Sequence, residues 1–198
     1  MALVLNDQLG TARVAWNLHF LYQDEHDALL TDMAWCRGEA KRLAARYSGK
    51  VAGLDAAELA VLLRELEDLD EKLGRLESFS FLSFITQTDN AAASALLQQT
   101  EELAAEIGRD TIFFRVEWNL VEEARSGVLM AAQELAGYHH YLQTLRNHAP
   151  HQLSLQQEEL LQELAPTGRS AWNLLFDKVM SQMRFGKKGR SEEEVLSD

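Results

Sequence analysis

The fold class can be inferred from residues 59–76, which read Leu59-Ala-Val-Leu-Leu-Arg-Glu-Leu-Glu-Asp-Leu-Asp-Glu-Lys-Leu-Gly-Arg-Leu76. The leucines of this stretch recur in alternating steps of three and four residues, at Leu59, Leu62, Leu66, Leu69, Leu73 and Leu76. This spacing is a heptad seam, which is typical of a helix that packs lengthwise against another helix. Asp55 and Glu58 stand before the seam with the spacing of an N-terminal capping box. The pattern therefore predicts a long helix that begins after Asp55 and continues to about Ile85.

A second seam follows after the turn-type residues Thr86 to Asn90. Its positions are Leu96, Thr100, Leu103, Ile107, Thr111, Phe114, Trp118 and Val121. A short connection forces two neighbouring helices to run in opposite directions. Residues 55–121 are therefore predicted to form a long antiparallel helical hairpin.

The composition favours helix along the whole chain. The 198 residues include 33 Leu and 25 Ala but only 9 Val and 3 Ile, and β-branched residues are those that strands prefer. Only Pro150 and Pro166 interrupt the sequence. We expect an all-α bundle in which residues 1–198 form one helical domain.

The region before the hairpin predicts an arm and one helix. Residues 1–23 lack a sustained period and end in the aromatic-rich segment 16–22, so we expect an ordered arm packed on helices. Asp24 or Asp27 can cap a helix that ends near Ser48, with Gly49 as its C-cap residue. Its expected inward residues are Leu29, Leu30, Met33, Ala40, Leu43 and Tyr47.

Residues 128–182 are expected to contain further helices. After a break at Ser126-Gly127, one helix is predicted from Val128 to Asn147, and the capping box of residues 154–157 begins the next. Residues 166–168, Pro-Thr-Gly, are expected to break that helix or to kink it sharply, since Pro lacks the amide N–H and disfavours helix at the residue before it. A last helix carries Trp172, Leu175, Phe176, Val179 and Met183.

The C-terminal residues give two further expectations. Residues 183–190 are predicted to form an extended loop or short hairpin. Residues 191–198 begin with a capping box, Ser-Glu-Glu-Glu, but an isolated helix shorter than about 12 residues is marginal in water. We expect either frayed terminal residues or the start of a truncated helix from a longer chain.

Charge and composition exclude several classes of partner. The formal net charge is −12, which disfavours binding to nucleic acid through a basic surface. No apolar run approaches the ~20 residues that span a bilayer, and the N-terminus lacks the basic start of a signal peptide. Cys36 is the single cysteine and cannot form an internal disulfide. We therefore expect a cytoplasmic protein with no nucleic-acid or membrane partner.

The histidines do not form a recognisable metal motif. None of the six has a second histidine at the i and i+4 spacing of a zinc peptidase, and none lies three residues after a glutamate. His148 and His151 flank Pro150, so we expect a solvated loop there. His139 and His140 point about 100° apart on a helix, which predicts one buried and one exposed imidazole.

Other reactive side chains have simpler interpretations. Cys36 stands among apolar residues and is expected to be a small buried hydrophobe. The consecutive acidic pairs, Glu101-Glu102 and Glu122-Glu123, are expected on solvated faces. The basic cluster Arg184, Lys187, Lys188 and Arg190 is expected in a water-exposed loop. We predict no catalytic, cofactor-binding or metal residues in this chain, and a role in binding or structure.

Several segments, taken in order, resemble the N-terminal region of the M3 metallopeptidases in the oligoendopeptidase F branch. They are Trp16-Asn-Leu-His-Phe-Leu-Tyr22, Tyr47-Ser-Gly-Lys-Val51, Tyr138-His-His-Tyr141, Leu145-Arg146, His151-Gln-Leu-Ser154, Glu158-Glu159, Pro166-Thr-Gly168, Ala171-Trp172 and Leu175-Phe176. Members of that family are several hundred residues longer, and their catalytic half carries His-Glu-x-x-His with a distal glutamate. This chain contains neither.

The resemblance implies the N-terminal helical lobe of a cytoplasmic zinc endopeptidase that cuts short peptides. The lobe would form one wall of the substrate channel, with zinc held in the missing catalytic half. The implied partners are that half, or a peptide substrate through it. No catalytic or metal residue transfers to this chain, because no position matches those motifs. The alternative is a free-standing helical module that binds another protein.

Overall fold

The fold is all-α. The structure, a computed structural model, describes residues 17–22, 26–87 and 90–184. Within these ranges the chain forms α1 (His26–Tyr47), α2 (Ala56–Thr86), α3 (Ala91–Leu120), α4 (Glu123–Met130), α5 (His139–His148), α6 (Leu155–Leu164) and α7 (Arg169–Gln182). Short 3₁₀ segments occupy Val51–Gly53, Gln133–Tyr138 and Ala149–His151, and no strand occurs in the described part. The predicted fold class is confirmed.

The predicted hairpin forms the centre of the fold. Asp55 accepts a hydrogen bond from the Glu58 amide at 2.9 Å, and Glu58 accepts one from the Asp55 amide at 3.0 Å, which completes the capping box of α2. Leu59, Leu62, Leu69 and Leu76 are fully buried, and Leu66 and Leu73 are partly buried against the same core. On α3 the buried seam residues are Thr100, Leu103, Ile107, Phe114 and Trp118.

Ion pairs give the direction of α1 relative to the hairpin. Lys72 of α2 pairs with Asp32 at 2.8 Å, and Glu65, about two turns earlier on α2, pairs with Arg46 at 3.2 Å. Because the partner moves backwards as α1 advances, α1 is antiparallel to α2. It is consequently parallel to α3, where Arg37 pairs with Glu106 at 2.7 Å. The three long helices form one packed unit.

The end of α1 follows the prediction, and one of its inward residues does not. Gly49 has a φ of 78°, a left-handed conformation that costs glycine little. Glu117 of α3 then accepts hydrogen bonds from the Gly49 amide at 2.6 Å and the Val51 amide at 3.1 Å. The prediction that Leu30 points inward is wrong. Leu29 and Met33 fill the buried stripe, and Leu30 lies beside it, half exposed, at the mouth of a surface cavity.

The break after the hairpin lies earlier than predicted. The chain leaves helix at Val121-Glu122, and Ser126-Gly127 stands inside α4. Arg146 of α5 accounts for where α3 ends. It donates hydrogen bonds to the carbonyl oxygens of Trp118 at 3.2 Å and Val121 at 2.9 Å, which lie at the C-terminal end of the helix, where the last carbonyl groups lack an α-helical hydrogen-bond partner. The single helix predicted from Val128 to Asn147 is therefore also wrong. A turn and the 3₁₀ segment Gln133–Tyr138 separate α4 from α5.

The predictions for the two ends of the chain can be compared with the structure only in part, because some of these residues lie outside the described ranges. Of the arm 1–23, residues 17–22 form a turn, and Tyr22 is buried with its ring 5.4 Å from that of Phe79. Met183 and Arg184 are non-helical, while 185–190 and 191–198 lie outside the described residues. The division into residues 1–23, 55–121, 128–182 and 191–198 stays a prediction. No helix of the described ranges is long and apolar enough to cross a bilayer.

Candidate functional site

The two histidines around Pro150 line a surface cavity. It has a volume of about 480 Å³ and is also bordered by Arg115 and Glu158. His148 is exposed, and its Nδ1 lies 2.8 Å from the Thr144 carbonyl oxygen, so this nitrogen carries the proton and donates. Among the described residues, no group of three or more His, Cys, Asp or Glu side chains is arranged to hold a metal ion.

His139 and His140 do not form the predicted pair of one buried and one exposed ring. Both are exposed, because α5 begins at His139 and its first turn lies at the surface. The buried position of this helix is Leu142, whose carbonyl oxygen accepts a hydrogen bond of 3.1 Å from Nε1 of the buried Trp118. Leu142, and neither histidine, is therefore the buried residue of this helix.

Cys36 is buried completely, as predicted. Burial, followed by repulsion from Asp32, raises the pKa of its thiol to about 11. A thiol with such a pKa is almost wholly protonated at neutral pH, and the thiolate is the nucleophile. The arrangement suits packing and does not suit catalysis.

Helix α6 is held on α3 by a cluster of polar contacts. Nη2 of Arg115 donates to Oε2 of Glu158 at 2.6 Å, and the other carboxylate oxygen accepts the Leu153 amide at 3.1 Å. Gln152 donates to the Val116 carbonyl at 3.2 Å and accepts from Asn119 at 2.7 Å. Glu158 is one of the few buried charged residues, 9% exposed. These contacts fix α6 antiparallel to α3, since a second pair joins Arg109 to Glu163.

A tight turn connects α6 to α7. Ser154 and Gln157 form the predicted capping box at the start of α6, and Ala165 to Gly168 form the turn after its end. A Cβ atom at Gly168 would lie 2.9 Å from the Leu164 carbonyl oxygen, closer than side chains approach. The Gly168 amide donates to that same oxygen at 2.8 Å. Glycine is required here by the close approach of backbone to backbone.

The two helices joined by this turn expose a large set of apolar side chains, which we call the α6–α7 apolar surface. It consists of Leu160, Leu161, Leu164, Trp172, Leu175, Phe176 and Val179. Trp172 is 70% exposed and Phe176 64%. The α7 members recur at the three- and four-residue spacing of one helix face. Exposed large apolar side chains gathered on two neighbouring helices are typical of a site of interaction with another protein or domain.

Comparison with known proteins gives a match to a family model, and the matched residues include this surface. Residues 117–185 match the family model for the N-terminal domain of the M3 peptidases, described as Oligopeptidase F. The matched segment is about a third of the chain and runs from the end of α3 through α7. This segment of the chain is therefore similar to an N-terminal region of the M3 peptidases. The comparisons with curated proteins and with solved structures give no significant match.

Sequence reasoning missed the two charged residues that organise the matched segment. Arg146 closes the end of α3 and also bonds Glu123 at 2.6 Å, and Glu158 joins α6 to α3. Both stand in segments that carry the family resemblance. Their ion pairs could not be assigned from spacing, because in each pair the opposite charge is more than twenty residues away along the chain.

Proposed function

We propose that this chain is the N-terminal helical lobe of a cytoplasmic zinc oligoendopeptidase and forms a wall of its substrate channel. The α6–α7 apolar surface is the observation that carries the proposal. It lies inside the segment that matches the M3 family, and Trp172 and Phe176 are its most exposed members. Burying a large apolar side chain stabilises a complex by roughly 1.5–3 kcal/mol. The catalytic half of the enzyme is the partner that would bury this surface.

The lobe contributes positioning in this proposal, and the chemistry belongs to the catalytic half. A zinc ion held there by the His-Glu-x-x-His histidines would supply an activated water for peptide hydrolysis. The described residues of this chain offer no set of three metal ligands. What the lobe can do is to hold a peptide in a fixed orientation, which lowers the entropic cost of the reaction.

Binding between the chain and a catalytic half tests this proposal. The probe is the polypeptide that the gene encodes downstream of Asp198, or an adjacent gene encodes, provided that it contains His-Glu-x-x-His. We expect the two purified polypeptides to form a stable complex, and Phe176→Asp on the α6–α7 apolar surface to weaken it at least tenfold. Val128→Asp is the matched control, because Val128 is equally exposed apolar surface, 74% exposed, on another helix.

Two results would overturn the proposal. One is a downstream and neighbouring coding sequence without any His-Glu-x-x-His. The other is a complex that tolerates Phe176→Asp as well as Val128→Asp. Stable binding of an unrelated protein through the same surface would instead support the alternative function, a free-standing helical interaction module.

A further inference from the structure

Cavities that share lining residues extend over α2 and α3 to α7, and we call them together the acidic groove. Three adjoining cavities make it up. The first lies between α2 and the start of α5, with Tyr138, Tyr141 and Asp70 in its wall. The second has a volume of about 420 Å³, lies between α2 and α3, and shares Asp70 with the first. The third, of about 540 Å³, lies between α3 and α7 and shares Glu101 and Pro166 with the second.

Carboxylates dominate the charge of this groove. The residues that contribute them are Glu67, Asp70, Glu77, Glu101 and Glu102, and Lys178 is the one cation among the described residues that line the three cavities. Leu63, Leu66, Leu73, Leu174 and Leu175 supply apolar lining between them. A concave surface with apolar walls and several carboxylates is complementary to an elongated ligand that carries both apolar and cationic groups.

Among the described residues, no cation lowers the pKa of the central carboxylates, as cations do for other acids of this protein. Asp70 and Glu77 are exposed and Glu101 is half buried, and the partial loss of water around Asp70 and Glu101 raises their pKa. Burial, with repulsion from Asp70 and Glu101, raises the pKa of Glu77. By contrast, Glu106 has a lowered pKa because Arg37 and Lys41 bind it. The expectation that Glu101 lies on a fully solvated face is thereby corrected, since it is half buried in the groove.

We propose that this groove binds a cationic, amphipathic peptide segment, with lysine or arginine side chains placed between Asp70, Glu77 and Glu101 and apolar side chains on the leucines. An ammonium or guanidinium group there would relieve the repulsion among the three carboxylates. This proposal does not rest on the peptidase assignment, because the groove is formed by this chain alone.

The test uses the full chain and two fluorescently labelled synthetic peptides. In the first peptide Lys and Leu alternate, and in the second Glu replaces each Lys. Anisotropy should show binding of the Lys peptide that weakens as salt is added, because salt screens exposed charge pairs. The Glu peptide should bind at least tenfold more weakly.

Matched variants locate the site. Glu77→Gln combined with Glu101→Gln should weaken binding of the Lys peptide about 5- to 10-fold, the loss expected for two partly exposed ion pairs. Glu122→Gln combined with Glu134→Gln removes the same charge from positions that do not line the groove and should change affinity less than about twofold. Circular dichroism confirms that each variant is folded, and removing repulsion should favour folding of the first.

Three outcomes would overturn the proposal. Equal losses in the two double variants would mean that the peptide responds only to net charge. Equal binding of the Lys and Glu peptides would mean that charge is not recognised. Loss of binding in Trp172→Ser, with none in the Glu77 and Glu101 variant, would place the peptide on the α6–α7 apolar surface.

Discussion

Arg115 on α3 and Glu158 on α6 form an ion pair of 2.6 Å that joins the hairpin to the family-matched helices. The Glu158 side chain is nearly buried, whereas that of Arg115 is 41% exposed. A buried carboxylate that loses its cation keeps the cost of desolvation without the compensating hydrogen bond. This contact is one of several that hold α6, and with it the α6–α7 apolar surface, on α3.

Replacing Arg115 by Leu should therefore destabilise the protein. We expect a loss of about 1–2 kcal/mol in the free energy of unfolding, since Glu158 retains its bond from the Leu153 amide. Urea denaturation monitored by circular dichroism measures it. Glu163→Ala is the control, because the Arg109–Glu163 pair is more exposed and should contribute less than about 0.5 kcal/mol. Equal losses in both variants would contradict the special role of the Arg115 contact.

Two glycines offer a test of backbone conformation. Gly49 has a φ of 78°, and Gly38 lies in the middle of α1. A Cβ atom added at either position meets no other group within 4 Å, so crowding does not distinguish them. Gly49→Ala should cost about 1–2 kcal/mol because it must adopt a left-handed conformation. Gly38→Ala should stabilise by about 0.5–1 kcal/mol. Effects of the same sign in thermal melts would refute this assignment.

The hairpin seam predicts a large effect at Leu69. This side chain is 0% exposed, and its truncation to Ala should cost ~2–5 kcal/mol in the free energy of unfolding. Phe81→Ala on the same helix removes a side chain that is 52% exposed and should cost less than about 1 kcal/mol. A loss below ~0.5 kcal/mol at Leu69 would place the seam on the surface.

The pKa of Glu77 gives a pH-dependent prediction. Because this pKa is raised in the folded state, the folded protein binds the proton more tightly than the unfolded chain. The resulting stabilisation is present below the unfolded pKa of about 4.3 and is lost as the pH rises through the folded pKa. Glu77→Gln should therefore raise the melting temperature at pH 7 and have a smaller effect near pH 4.

Glu106→Gln is the matched control with the opposite sign. The hydrogen bond from Arg37 lowers the pKa of Glu106, so its stabilisation is present above the unfolded pKa and is lost as the pH falls through the folded pKa. This variant should lower the melting temperature at pH 7. If Glu77→Gln is destabilising at pH 7, the description of the acidic groove is wrong.

The sequence predicted those features that depend on local pattern. The heptad leucines of α2, the capping boxes at Asp55 and Ser154 and the turn at Gly49 are encoded within a few residues, and the structure confirms each of them. The break at Val121 could not be predicted in this way, because it depends on Arg146 far along the chain. For the same reason the local pattern misplaced the break at Ser126-Gly127.

The α6–α7 apolar surface and the acidic groove could not be predicted from the sequence pattern alone. The periodicity that predicts α7 is that of an amphipathic helix, but periodicity does not say whether the apolar face is buried within the chain. In the structure Trp172 and Phe176 of that face are exposed. The acidic groove is a property of three-dimensional packing, since Glu77 and Glu101 meet only when α2 and α3 fold back on each other.

Peptide hydrolysis is the most direct measure of whether this chain works together with a catalytic half. The chain alone, the His-Glu-x-x-His-containing polypeptide alone, and their equimolar mixture are each incubated with a quenched fluorescent peptide at neutral pH, with and without a chelator. We predict no cleavage and no stoichiometric zinc for the chain alone, and chelator-sensitive cleavage by the mixture that Phe176→Asp reduces. Chelator-sensitive cleavage by the repurified chain alone would refute the proposed role of a lobe, as would a catalytic polypeptide whose activity the chain leaves unchanged.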